Sequence, residues 1–307
     1  MRSPHVRVAV NLDQVRASAE AIRQHTGVRL KAVVKEAAYG LGAAQVADAL
    51  AAIADEFAYF SLYEARQVRR PGLALGPPDG DPNEYRELRL RPSIATLEDA
   101  TRFTGVPVAI KVDTAGERFG CPPEELDELV ARCDVTDFWT HATQIDAVHR
   151  LREACGGRGR PVHAALTALL DEPEAWLDAV RPGLGLYRGA VRVTSRLHAV
   201  RETKGPVGYT GFSAARVGVF LAGYSNFVRP GPVLINGRGQ QILESGMNTS
   251  YVSVDPADKV GDEVVLLGDA LTEEELARHF GTRPHEILCR YTAIGPRHYA
   301  TAGAAST

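Results

Sequence analysis

The chain has 307 residues, 45% of them hydrophobic and 24% charged, with a formal net charge of −3. That charge offers no basic field to nucleic acid or an anionic membrane, and the longest apolar stretches fall well short of the ~20 residues that span a bilayer. Such a length can bury a large core and is best divided into two domains.

Met1-Arg2-Ser3-Pro4-His5 runs straight into a strand-like stretch from Val6 to Val10, so no signal peptide is expected. Residues 12–25 carry apolar side chains at helical spacing (Leu12, Val15, Ala19, Ile22) and predict an amphipathic helix closed near Gly27. Short apolar runs then alternate with helical patterns. The predicted strands are 28–34, 57–61, 73–75, 92–95, 106–112, 138–142, 162–165 and 179–186. The helices between them are 43–54, 62–69, 97–103, 123–133, 145–154 and 173–180, and Gly76 to Pro82 reads as loop. Strands that are apolar nearly throughout, interleaved with helices, predict a parallel (β/α)8 barrel, short of the usual ~250 residues.

Near Val191 the pattern changes. Residues 193–201, 215–222, 233–235, 241–243, 251–254 and 263–267 predict short strands separated by Gly, Pro and Asn turns, hence an antiparallel β domain. Thr272 to Leu276 opens a late helix with a capping-box pattern. The expected division is a barrel over 12–191 and a β domain over 192–307, with 1–11 joining the latter as a strand.

Cys121, Cys133, Cys155 and Cys289 form no Cys-x-x-Cys pair, which predicts free thiols and a reduced, cytoplasmic setting. His141, His149 and His163 lack the spacing and cysteine company of a zinc site, so no metal is expected. The chemistry is carried by Lys35. The buried run 30–34 delivers it at a strand's C-terminal end, and Tyr39, Gly40 and Gly42 follow at once. There a lysine's pKa can fall far enough for its amine to attack an aldehyde. The bland alternative is a lysine that snorkels from the strand end.

From Val8 to about Tyr299 the order of motifs resembles alanine racemase, the fold-type III family that carries pyridoxal phosphate (PLP) on a (β/α)8 barrel. Val34-Lys35 with Tyr39-Gly40 is similar to the family's cofactor-lysine motif. Lys111-Val112-Asp113-Thr114 with Arg118-Phe119-Gly120 resembles the segment that supplies a substrate-contacting arginine. Thr140-His141-Ala142, His163-Ala164-Ala165-Leu166-Thr167 and the stretch from Val180 to Tyr187 resemble a strand end beside the pyridine ring, a phosphate-contacting loop and the last barrel strand. Val207-Gly208-Tyr209, Ala222-Gly223-Tyr224, Gly246-Met247-Asn248 and the stretch from Val260 to Val264 follow in family order.

The resemblance implies a PLP-dependent racemase with two bases. Lys35 would hold PLP and take the proton from the D-isomer. Tyr209, supplied by the partner subunit of a homodimer, would take it from the L-isomer. Tyr39 and Thr167 hydroxyls and the Gly183 and Leu184 N–H groups would contact the phosphate, and His141 would pack by the ring, unless it is only a satisfied core histidine. Arg118 and Met247 would meet the amino-acid substrate, and Lys111 matches a position that is often carbamylated. Arg181 would face the pyridine nitrogen. An arginine cannot accept that nitrogen's proton, so the ring stays neutral and the carbanion short-lived, which suits racemisation over transamination. A structural salt bridge is the alternative for Arg181.

Four departures bear on the substrate. Asn248 stands for the usual Asp, Glu244 for an arginine of the substrate channel, His285 for a phosphate-touching tyrosine, and Leu166-Thr167 for Asn-Ser. With Tyr224, Glu244 and His285 would line the channel, and the reversal of charge at Glu244 would tolerate or attract a cationic or longer side chain, with alanine the default substrate. The competing readings are a PLP decarboxylase or aldolase on the same fold, or a non-catalytic PLP carrier. Tyr209 and the β domain speak against the last.

Overall fold

The computed structural model describes residues 2–300. They divide into two compact units, Val15–Leu186 and the N-terminal residues joined to those from Tyr187 onward.

In the first unit, apolar runs bounded by Gly, Pro or charge make Arg29–Val33, Glu56–Tyr59, Gly72–Ala74, Pro107–Lys111, Asp134–Ala142, Val162–Ala165 and Ala179–Val180. One further strand is broken by Pro92 into Leu90–Arg91 and Ser93–Ile94, because proline cannot donate to the ladder. Its two pieces are the ends of a nine-piece all-parallel sheet, so the chain itself closes the sheet through Pro92 into an eight-stranded barrel. Alternation along the strands layers the interior. Val33, Ala58, Leu73, Leu75, Ala109 and Trp139 pack as one buried middle cluster with Tyr39 against it. Two residues before Val33 lies Lys31 and two residues after it Lys35. The N-terminal end is thus filled by Lys31, Glu56, Arg91, Asp137 and His163, while Lys35, Lys111, His141 and Arg181 belong to the C-terminal end, where barrels of this kind carry their sites.

The N-terminal charges are mutually satisfied. Lys31 and Arg91 each pair with both Glu56 and Asp137, and Asp137 also meets His163 Nε2 at 2.7 Å. The sequence reading does not anticipate this cluster.

Several elements differ from expectation. The expected loop ends one residue early, at an unpredicted helix, Pro82–Leu88, started by the Asp81 carboxylate accepting from the Asn83 N–H with proline in the first turn. The stretch 173–180 is a 3-10 turn, Pro173–Ala175, followed by strand Ala179–Val180, and 184–187 is a helical turn rather than the end of a strand.

The second unit is an eight-stranded sheet. Its centre is the long strand Val191–Glu202, which pairs antiparallel with Arg7–Asn11, Arg216–Phe220 and Glu263–Leu267. Gly231–Ile235, Arg238–Ser245 and Ser250–Val252 continue it antiparallel, and Arg297–Ala300 adds a parallel edge beside Arg7–Asn11. Glu273–Phe280 has the expected Thr272 capping box, and a second helix, Pro284–Tyr291, follows it. Among the described residues no helix is long and apolar enough to cross a membrane.

Candidate active site

Strand Arg29–Val33 ends at Lys35, and the chain then does something rare for residues that carry a Cβ. Glu36, Ala37, Ala38 and Tyr39 adopt φ of 53°, 53°, 54° and 55°, one turn of left-handed helix closed by Gly40 at 88°. Each such residue costs roughly 1–2 kcal/mol, so the turn must be held. Ala38 N–H donates to Val34 O at 2.8 Å and Gly42 N–H to Ala37 O at 2.7 Å. The Glu64 carboxylate accepts from the Glu36 N–H at 2.7 Å and the Phe60 N–H at 2.5 Å. Ser61 caps helix Leu62–Val68 and sets Glu64 in its first turn.

The turn brings the Tyr39 hydroxyl so close to Gly183 that a Cβ there would lie 2.2 Å from it. Only glycine fits. Beside it the Thr167 hydroxyl accepts from Gly183 N–H at 3.3 Å and Gly185 N–H at 3.0 Å. Tyr39, Thr167 and Gly183, with half-buried Leu184 next in sequence, thus gather at one end of the barrel. His163, from the same motif as Thr167, does not join them, because its side chain is held by Asp137.

Burial, then Arg118, then Arg181 lower the Lys35 pKa against the opposing carboxylates Glu64 and Glu36. Arg181 is fully buried inside the barrel. It donates through Nη2 to the carbonyls of Thr140 and Ala164, lies 4.5 Å over the Trp139 ring, and leaves Nε without a partner. Burial pulls its pKa down to about 9, so it stays a cation at neutral pH. Among the described residues it forms no ion pair, so the salt-bridge alternative has no partner. His141 is pushed down to about 4 by burial and by Arg118 and Arg181, and is neutral. Lys111 is lowered to about 8 by burial, with Asp113 opposing and Arg118 assisting. Its Nζ sits 4.1 Å over the Phe119 ring and 5.6 Å over Trp139. Arg118, exposed on the loop after Pro107–Lys111, also lies over the Phe119 ring, 5.0 Å from its centroid.

The remaining predicted residues lie in the second unit. Tyr209, Tyr224 and Met247 are exposed, Tyr209 at 92%. Tyr224 and Met247 belong to segments stitched together by Tyr224 N–H to Gly246 O at 2.8 Å and by the Ser225 hydroxyl to Met247 O and Asn248 Oδ1 at 2.7 and 2.9 Å. His285 is exposed in the first turn of Pro284–Tyr291. Glu244 corrects the expectation of an open channel charge. It is only 7% exposed, and both its oxygens accept hydrogen bonds from Tyr209 and Thr210.

Glu64 and Trp139 escape the sequence reading. Ser61 three residues before Glu64 is a legible cap signal, but nothing in the sequence says that the carboxylate also holds the turn after Lys35.

A closed parallel barrel with an amine at its C-terminal end is thus followed in the chain by an antiparallel β unit. The alanine racemase N-terminal domain model matches residues 10–191 and the alanine racemase C-terminal domain model residues 190–299. The chain belongs to the alanine racemase family, whose members are PLP-dependent racemases. It is similar to "Alanine racemase" of Vibrio cholerae serotype O1, at 29% identity over 96% of this chain and 98% of that protein. It is likewise similar to that of Aliivibrio salmonicida, at 30% over 88% and 92%. A solved structure, the biosynthetic alanine racemase from Pseudomonas aeruginosa, superposes with a TM-score of 0.88 at 26% identity, over 97% of this chain and all of that one.

Proposed function

We propose that this protein racemises an α-amino acid, alanine first among candidates, by carrying the Cα proton on Lys35 at one face and on Tyr209 at the other. The observation that carries this reading is the lowered proton affinity of Lys35, an amine beside Arg118 and Arg181 at the end of a barrel strand. An amine that gives up its proton more readily is better suited to serve first as nucleophile and then as base.

The surrounding residues fit PLP on two observations: the orphaned buried Nε of Arg181, and the cradle at Gly183 that a Cβ would fill. Arg181 would hold the pyridine nitrogen. The hydroxyls of Tyr39 and Thr167 with the N–H groups of Gly183 and Leu184 would hold the phosphate. His141, neutral, would lie by the ring. PLP, when bound, supplies the electron sink that makes the Cα proton acidic.

Arg118 offers a planar fork to the substrate carboxylate, with Met247 beside the substrate and Tyr224 and His285 on its approach. Lys111, near 8, is in part uncharged at neutral pH, the state from which carbamylation proceeds. Tyr209, an exposed phenol, would complete the site of a second copy, which makes the dimer part of the catalyst. Arg181 favours racemisation over decarboxylation, because a guanidinium, unlike the carboxylate of an acidic partner, cannot accept a hydrogen bond from a protonated ring nitrogen.

The test is to incubate the holoenzyme with single enantiomers of a panel of amino acids in D2O, followed by chiral chromatography. Inversion with α-deuterium uptake is expected for alanine. Release of CO2 or an aldehyde without inversion would overturn the reading.

A further inference from the structure

We infer that Glu244 is a positioning residue whose carboxylate locks the backbone of the turn presenting Tyr209, and so fixes where that phenol points. The inference rests on the reading of Tyr209 as a proton carrier. Glu244 Oε1 accepts from the Tyr209 N–H at 2.8 Å, and Oε2 accepts from the Thr210 N–H at 2.8 Å and the Thr210 hydroxyl at 2.5 Å. Two successive amides aimed at one carboxylate form an anion nest, and hydrogen bonds to a charged acceptor are the stronger kind.

The turn is built around this carboxylate. Gly208 has φ of +68°, and a Cβ there would fall 2.4 Å from Glu244 Oε1, so only glycine admits it. Val207 N–H closes the turn onto Phe212 O at 2.9 Å, and the Phe212 ring meets Tyr251 edge-on at 5.7 Å. Tyr251 stands opposite Glu244 in the sheet register, so clamp and turn share one rigid base. The Tyr209 ring itself is almost wholly exposed. Within its own chain, the point from which the ring projects is set by its backbone, and the backbone is held by Glu244. A proton carrier must be held within roughly 0.5 Å of its working position, and a fixed backbone at Tyr209 is what lets its ring enter the site of a second copy in one place. The carboxylate's engagement with three donors also leaves it poorly suited to attract a cationic substrate.

The test compares the holoenzyme with Glu244→Gln, Thr210→Val and Tyr209→Phe by kinetics and by residue-resolved amide hydrogen exchange. Glu244→Gln sets an amide N–H2 against one of the donors. Exchange at Tyr209 and Thr210 should rise about tenfold or more, with distant amides unmoved, and kcat should fall about ten- to a hundredfold with KM little changed. In the Tyr209→Phe background the same change should cost nothing further, because the phenol it positions is gone. Should Glu244→Gln fail to fold, Thr210→Val removes one donor and should give about a three- to tenfold fall in kcat with the same local exchange.

Unchanged exchange at 209–210, additive losses in the double variant, or an effect confined to KM for cationic amino acids would each overturn the clamp. A fully active Tyr209→Phe would instead remove the proton-carrier reading, and amide exchange would still decide whether Glu244 holds the turn.

Discussion

Arg181 combines two properties that rarely coexist: complete burial, and one guanidinium N–H with no partner. Leaving a buried donor unmade costs about 1–3 kcal/mol, a cost that a bound acceptor would remove. Replacing it with Glu puts an acid where the reading places the ring nitrogen, and the nearby cations Lys35, Lys111 and Arg118 favour that charge. The expected outcome is slower racemisation with a 2-oxo acid appearing as a side product, detected by chromatography during turnover with alanine. Unchanged turnover and no oxo acid would show Arg181 to be structural. Lys35 is the companion case. Borohydride reduction should fix the cofactor at Lys35 in the wild type and at no lysine in Lys35→Ala, as peptide mass spectrometry would show.

The left-handed turn after Lys35 shows where sequence reading works and where it stops. The strand, the lysine at its end and the following glycines are legible from periodicity alone. The conformation of Glu36 to Tyr39 is not, because alanine and glutamate give no local signal for φ near +53°. Tertiary contacts from Glu64 and Gly183 impose it. Pro82–Leu88 is the reverse case, since Asp81-Pro82 is a helix-start signal outweighed in reading by the Gly- and Pro-rich stretch before it. The last helix and edge strand escape for a different reason: their stabilisation comes from packing and from pairing with Arg7–Asn11, far away in sequence.

The turn's strain makes a prediction that runs against ordinary helix propensity. Ala→Gly inside a normal helix destabilises by about 1 kcal/mol. Ala37→Gly should instead be neutral or stabilising by up to about 1 kcal/mol, because relief of the left-handed strain offsets the added freedom of the unfolded chain. Denaturant unfolding of both proteins checks it, and a loss of 1 kcal/mol or more would count against a strained turn. Gly183→Ala, by contrast, drives a methyl into the Tyr39 hydroxyl. It should weaken PLP retention on dialysis while leaving the unfolding midpoint of the cofactor-free protein nearly unchanged.

At the scale of the whole molecule, the barrel sets two chemistries at its two ends. One end gathers Lys35, Lys111, Arg118 and Arg181, which form no close ion pair among the described residues, and the other gathers charges that neutralise each other. At the latter end burial alone would raise the Asp137 carboxyl, but the hydrogen bond from His163 and the cations Lys31 and Arg91 outweigh it and hold it well below the usual carboxylate range. Such a group stabilises the fold above its unfolded value near ~4 and loses that contribution as pH falls toward its folded value. His163 acts in the same direction. Burial and Lys31 push it down to about 3 against the pull of Asp137, so it is buried neutral. The unfolded chain, with histidine near ~6.5, binds that proton first, and stability drains away as pH falls from ~6.5 toward 3. Unfolding free energy should therefore rise steadily between pH 4 and 7. Asp137→Asn should cost up to about 3 kcal/mol at pH 7, because it leaves Lys31 and Arg91 to share Glu56 alone, and should flatten the limb below about pH 4, where Asp137 takes up its proton. A variant as stable as the wild type, with the same pH slope, would show that the charged floor of the barrel contributes nothing to its acid sensitivity.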